Sequence, residues 1–137
     1  MKVQPYLFFN GRAEEAIEFY KKTLSAEVLM TSRFGDAPGP PMGPNVTKEK
    51  IMHAELRVGD AVILISDGEC GGTTHFDGFS LAVTAATAAD ADKTFAALAE
   101  DGKVSMPLSE TFFAKRFGQV TDRFGVRWMV LFRAQGA

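Results

Sequence analysis

The spacing of apolar residues changes period several times along the chain, and the changes repeat. A strand-like run, Val3 to Phe9, leads into a segment where Ala13, Ala16, Ile17, Tyr20 and Leu24 recur at helical spacing. Glu14 and Glu15 stand in the first turn of that helix and Lys21 and Lys22 near its end, as the helix dipole favours. A second copy opens with Phe79 to Val83. Thr87 and Asp90 then form a capping-box pattern ahead of a helix with Ala91, Phe95 and Leu98 on one face, closed by Gly102.

Strand signals follow each helix. In the first copy they are Glu27–Phe34, Lys50–Val58 and Ala61–Ser66, with Gly59-Asp60 as a two-residue hairpin turn. In the second they are Lys103–Pro107, Phe117–Asp122 and Val126–Arg133, with a turn at Asp122-Arg-Phe-Gly125 in which the glycine is free to take positive φ. The fold class expected is α+β, built from two βαβββ modules, about 1–67 and 77–133, within a single domain. Each module alone would expose one apolar sheet face, so the two are expected to share a core. Phe19 maps onto Phe95 and Val28 onto Val104, each 76 positions on, whereas Leu64 maps onto Met129 after only 65. The 11-residue difference falls on Gly35 to Asn45, which holds four of the six prolines and must be a surface loop; the first expectation is a simple insertion, with a lid or dimer contact as the alternative. Ala26 stands where Gly102 stands in the second copy, so the first helix must end without a left-handed glycine.

Composition narrows the function classes. At 137 residues the chain has room for one domain, and its apolar fraction of 46% supports a core. A net charge of −2 argues against general nucleic-acid binding. The chain has no apolar run of membrane-spanning length and no signal-peptide opening, so a soluble cytoplasmic protein is expected, with neither membrane nor nucleic acid as partner. One cysteine, Cys70, excludes an intramolecular disulfide, and with only His53 and His75 it cannot form a structural zinc site. Glu69 beside Cys70 works against a reactive thiolate.

The modules, together with Pro5-Tyr-Leu-Phe-Phe-Asn-Gly11, Ala13-Glu-Glu-Ala16, Phe19-Tyr20, Met52-His-Ala-Glu-Leu56, Ser66-Asp67, Phe117-Gly118 and Asp122-Arg-Phe-Gly-Val-Arg-Trp128, resemble the vicinal oxygen chelate superfamily. That superfamily includes glyoxalases, bleomycin-resistance proteins and extradiol dioxygenases; the match is to its PhnB-like branch, with Arg123 where proline is commoner. The resemblance implies a glyoxalase-like curved mixed sheet with helices outside, a cleft between modules, and a homodimer. In metal-dependent relatives the ligands come from the first and last strands of each module. Here those positions fall on Pro5 (or Gln4), Leu64, Phe79 and Met129, none of which suits a hard or borderline cation. No metal and no cofactor are therefore expected. Some relatives carry a demethylubiquinone methyltransferase label, but no glycine-rich strand–turn–helix is evident, and Asp101-Gly102 ends a helix rather than opening one.

Strand parity supplies the candidate site. With Gly59-Asp60 as the turn, Glu55 faces Leu64 and Arg57 faces Val62, so His53, Glu55, Arg57 and Leu64 share a face, while Met52, Ala54, Leu56 and Val58 cover the helix side. Met129 brings Arg127 with it, and Gln119 and Thr121 join them if Gly125 ends a three-residue loop. The expected ligand-binding set is His53, Glu55, Arg57, Leu64, Arg127 and Met129, on an apolar floor that adds Leu7, Phe9 and Phe79. Such a mixture suits a small organic molecule. His53 with Glu55 is a candidate general base; the plainer expectation is a Glu55–Arg57 ion pair with His53 holding a structural hydrogen bond. Trp128 is expected against a helix, and Asp122 is expected to act as a turn residue. Metal-dependent lyase, isomerase or dioxygenase chemistry through His53 and Glu55, and a non-catalytic partner-binding dimer, are the alternatives.

Overall fold

The computed structural model describes residues 1–40 and 43–133. The chain divides into two compact units, Met1–Thr74 and the segment beginning at His75. In the first, the elements are β1 (Tyr6–Phe8), α1 (Ala13–Leu24), β2 (Glu27–Arg33), β3 (Ile51–Val58) and β4 (Ala61–Ser66), with one 3-10 turn at Phe34–Asp36. In the second they are β5 (Leu81–Thr84), α2 (Ala88–Ala99), β6 (Lys103–Ser109), β7 (Arg116–Thr121) and β8 (Arg127–Phe132). Each unit is one four-stranded mixed sheet with one helix. The strand orders are β1-β4-β3-β2 and β5-β8-β7-β6, with the β1–β4 and β5–β8 pairs parallel and the others antiparallel. This is the doubled βαβββ pattern. No described helix is long and apolar enough to cross a membrane.

In the first unit, α1 buries Ala13, Ala16, Ile17, Phe19 and Tyr20, and it packs on β3. Leu7, Phe9, Ala54, Leu56, Ile63 and Ile65 are buried in the same unit. Arg12 at the N-cap makes no side-chain cap. Asp67, only 1% exposed, takes that role from the end of β4. Its Oδ1 accepts from the backbone N–H groups of Gly11 and Ala13, both at 2.8 Å, and Oδ2 accepts from Ile51 N at 2.8 Å. One carboxylate thus fixes the β1–α1 turn, the helix entry and the start of β3.

In the second unit α2 packs on β6, β7 and β8 through Ala91, Phe95 and Leu98. Thr87 Oγ1 accepts from Asp90 N at 3.0 Å, as the capping pattern predicts. A Cβ on Gly118 would lie 2.8 Å from the Phe95 ring and 2.9 Å from the Leu108 backbone, so glycine lets the helix approach β7. Pro107 lies in the edge strand β6, where the ladder is irregular.

The helix ends repeat between units. Ser25 (φ 53°) and Asp101 (φ 59°), 76 positions apart, both take the left-handed conformation. The prediction that α1 ends without a left-handed glycine therefore holds, but the role assigned to Gly102 needs correcting. Asp101 makes the left-handed turn, and Gly102 is required because a Cβ there would sit 2.3 Å from the Thr121 carbonyl oxygen. Arg123 completes this corner. Its guanidinium lies 3.5 Å from the Glu100 carboxylate and 3.4 Å from Asp101, and it also donates to the Glu100 carbonyl at 3.4 Å.

Candidate functional site

Both hairpins have the register expected from sequence. Glu55 pairs with Leu64, Arg57 with Val62 and Val58 with Ala61 across the Gly59-Asp60 turn. In the other hairpin Gln119 pairs with Met129 and Thr121 with Arg127, and Gly125 (φ 93°) ends a three-residue loop. Asp122 N donates to Val126 O at 2.8 Å to close that loop. His53, Glu55, Arg57 and Leu64 consequently share the sheet face opposite Ala54 and Leu56. Arg127 and Met129 occupy the equivalent face of β8, opposite Trp128 and Val130, which are buried.

The first strand differs from expectation by one residue. Tyr6 pairs with Leu64 and Phe8 with Ser66, so Tyr6 and Phe8 take the open face, whereas Leu7 and Phe9 are buried at 2% and 1% exposure. Leu7 and Phe9 are therefore core residues, not floor. The position beside Leu64 belongs to Tyr6 rather than to Pro5 or Gln4. The second unit repeats the arrangement: Ala82, 76 positions after Tyr6, pairs with Met129, and Phe79 precedes β5. The register-matched pairs are thus Tyr6 with Leu64 in the first unit and Ala82 with Met129 in the second. Leu64, Ala82 and Met129 offer no donor for a divalent cation of the usual kind, so the residues present do not fit such a metal.

Tyr6 brings the candidate site together. Its hydroxyl lies 2.8 Å from His53 Nδ1, and His53 Nε2 lies 3.1 Å from Glu55 Oε2. As a carboxylate Glu55 can only accept, so Nε2 carries a proton; in the neutral imidazole Nδ1 is then an acceptor, to which the Tyr6 hydroxyl donates. The Tyr6 ring stacks on Phe8 with centroids 4.9 Å apart and planes 15° from parallel. Burial pushes the Tyr6 hydroxyl pKa above its ordinary value, partly offset by a hydrogen bond with the Ser66 side chain.

The charged candidates find other partners. Arg57 pairs with Glu27, its neighbour across the β2–β3 ladder, rather than with Glu55. That leaves Glu55 to His53, so the expected Glu55–Arg57 ion pair gives way to a histidine–carboxylate pair. Arg127 lies 3.2 Å from Asp77, with both side chains largely exposed. Trp128 is buried and donates to Asp122 at 2.9 Å. Asp122 is more than a turn residue, since it also accepts from Phe124 N and Val126 N. Burial and the Asp67 charge raise the Cys70 thiol pKa. Phe34, Gly35, Pro38, Pro40, Val46 and Lys48 help line a cavity of about 120 Å³ beside the proline-rich loop. Pro41 and Met42 of that loop lie outside the described residues.

Sequence reasoning missed Tyr6 and Asp67 as organising groups. Asp67 carried a signal, since a lone acidic residue at the end of an apolar strand suits a cap for a neighbouring helix. Tyr6 carried only its place in Pro5-Tyr6-Leu7, between residues that hide the alternation.

Comparison with known proteins gives a consistent picture. The glyoxylase/bleomycin resistance protein/dioxygenase domain from Frankia shares the fold, with a TM-score of 0.67 at 18% identity over 100% of this chain and 95% of the other. Protein PA1353 from Pseudomonas aeruginosa is 40% identical with a TM-score of 0.85, over 97% of this chain and 98% of its own. The PhnB protein from Bacillus cereus is 31% identical with a TM-score of 0.81, over 96% and 99% of the two chains. Protein YjdN from Escherichia coli K12 is 36% identical over 95% of this chain and 94% of its own. With a family model matching residues 1–131, the chain belongs to the PhnB-like family described as 3-demethylubiquinone-9 3-methyltransferase.

Proposed function

We propose that this protein binds a small organic molecule on the open faces of its sheets and does so without a metal. The observation that carries the reading is the open face of the first sheet. Tyr6, Phe8 and Leu64 supply apolar and aromatic surface there, while His53 and Glu55 supply a few polar groups held in place by hydrogen bonds. An apolar surface with few convergent polar groups is the usual composition of a small-molecule site. Arg57, and Arg127 and Met129 on the second sheet, are the further contacts proposed, with a homodimer as the assembly.

Methyl transfer, the chemistry in the family's description, is not part of this reading. A nucleotide-like methyl donor needs a strand–turn–helix whose backbone N–H groups are available. At the β1–α1 turn, the N–H groups of Gly11 and Ala13 are already held by Asp67.

A thermal-shift panel of small aromatic and carbonyl compounds tests the reading. At least one compound should raise the melting temperature of the wild-type protein, and should do so less in Glu55→Ala or Arg127→Ala. Equal shifts in all three proteins would remove those residues from the site; no shift with any compound would favour the partner-binding alternative. Elemental analysis of protein purified without chelator should find no stoichiometric nickel, zinc, iron or manganese. A full equivalent lost in His53→Ala would favour the metal-dependent alternative.

A further inference from the structure

Two hydrogen bonds run in series across three strands of the first unit. Glu55 on β3 accepts from His53 Nε2, and His53 Nδ1 accepts from Tyr6 on β1, at 3.1 Å and 2.8 Å. For a neutral imidazole the direction follows from the carboxylate end, because the Nε2–H tautomer satisfies Glu55 and offers Nδ1 to the phenol. Tyr6 is 40% exposed and the His53 and Glu55 side chains 24% and 38%, and the Tyr6 hydroxyl also has a hydrogen bond with the Ser66 side chain. His53 is further enclosed by the Tyr6 ring, 5.5 Å away between centroids, and by Ser32 at its register position on β2. An imidazole oriented by a carboxylate and hydrogen-bonded to a hydroxyl is the arrangement that activates hydroxyl groups in enzymes.

We propose that Tyr6, His53 and Glu55 form a proton relay in which the Tyr6 phenol oxygen is the base for a bound organic molecule with an enolisable carbonyl or an acidic hydroxyl. The molecule's proton moves to the Tyr6 oxygen as the Tyr6 proton moves to His53 Nδ1. The bound molecule becomes its enolate or phenolate anion, and the imidazolium formed donates to Tyr6 and to Glu55. Reversal returns the proton to the same atom or to another, so the cycle needs no oxidant, reductant or second substrate. The stacked Tyr6 and Phe8 rings, on residues 40% and 49% exposed, offer aromatic contact to a planar, conjugated skeleton. Tyr6 is the catalytic residue in this scheme. Glu55 acts through His53 and is a positioning residue.

The inference rests on the small-molecule reading for its substrate but is tested without one, so the two can fail separately. The chain has two tyrosines, and Tyr20 is fully buried, so acetylation by 4-nitrophenyl acetate followed by peptide mass spectrometry reports on Tyr6. In that reaction Tyr6 oxygen bonds to the acetyl carbon, 4-nitrophenolate leaves, and the phenol proton passes to His53. Tyr6 in the folded protein should react faster than in the urea-unfolded chain. Since a positioned base contributes ~10²-fold or more, His53→Gln should slow the reaction at least tenfold, and Glu55→Gln should slow it less. Nitrogen-15 NMR should find His53 in the Nε2–H form in the wild type and lose that preference in Glu55→Leu, which removes every acceptor, whereas Glu55→Gln keeps an amide oxygen and should keep the tautomer. With His75 as the only other histidine, the signals are readily assigned. Equal acetylation rates in folded wild type and His53→Gln, or an Nδ1–H tautomer in the wild type, would overturn the relay. The variants are first checked for native circular dichroism; if His53→Gln is unfolded, Glu55→Gln and the tautomer decide alone.

Discussion

Trp128 donates its indole N–H to Asp122 at 2.9 Å, inside a hairpin where both residues are under 5% exposed. The same carboxylate accepts from Phe124 N at 2.9 Å and Val126 N at 3.1 Å, so it shapes the loop and anchors the largest side chain of the second unit. Replacing Asp122 with Ala takes the acceptor from three buried donors at once. The expected loss is about 2–4 kcal/mol in urea unfolding, with Asp122→Asn costing less because one carbonyl oxygen remains. A loss below about 0.5 kcal/mol would show that the turn closes without the carboxylate.

Gly102 and Ala26 occupy equivalent places after the two helices, yet only one should tolerate a side chain. In the first unit alanine is native and 8% exposed. In the second, a Cβ would meet the Thr121 carbonyl at 2.3 Å and the Asp122 backbone at 3.1 Å, and backbone cannot step aside as a side chain can. Gly102→Ala is expected to lower stability by about 1–3 kcal/mol, whereas Ala26→Gly should cost about 1 kcal/mol or less. Melting temperatures of the two variants make the comparison. Similar small shifts in both would contradict the close approach.

How far the sequence could be read depended on whether polar residues punctuated it. Gly59-Asp60 fixed the first hairpin, because alternation on its two sides allowed one register; β4 begins and ends where expected, at Ala61 and Ser66. The 76-residue offset also survives in detail, down to the matched left-handed residues Ser25 and Asp101. Along β1 and the residue after it, by contrast, Tyr6-Leu7-Phe8-Phe9 is apolar at every position, so nothing in the pattern distinguishes the helix side from the open side. Parallel pairing with β4 decides it, and that is a long-range contact. The error placed Leu7 and Phe9 on the open face and hid Tyr6, the residue that joins His53 and Glu55 into a chain. The ion-pair partner of Arg57 is hidden for a similar reason: the strand supplying Glu27 lies beyond the hairpin, so parity within the hairpin points to Glu55.

Cys70 should be a slow thiol. It lies in a turn where its own N–H donates to the Asp67 carbonyl, and burial together with the Asp67 charge raises its pKa. The thiolate is the reactive form, so iodoacetamide should label folded protein more slowly at pH 8 than the urea-unfolded chain. The rate should reach half its maximum above the ordinary thiol value of about 8.5. Half-maximal labelling below that value would mean that a positive group, not Asp67, controls the sulfur.

A bidentate ion pair joins α1 to the end of β2, with Arg33 Nη1 and Nη2 at 3.2 Å and 2.8 Å from the Glu14 oxygens. The hydrogen bond with Arg33 is the main cause lowering the Glu14 pKa below its ordinary 4.5, outweighing partial burial. A carboxyl with a depressed folded-state pKa binds its proton more readily when unfolded. Its contribution to stability is therefore complete above the unfolded pKa and disappears as pH falls through the lower, folded value. Wild-type protein should lose stability more steeply than Glu14→Gln between about pH 5 and pH 3, and the two curves should converge at lower pH. Because the pair is exposed, the gap at neutral pH should be small and should shrink further in 0.5 M salt. Parallel stability curves for the two proteins across this range would show that Arg33 gives Glu14 no preference for its charged form.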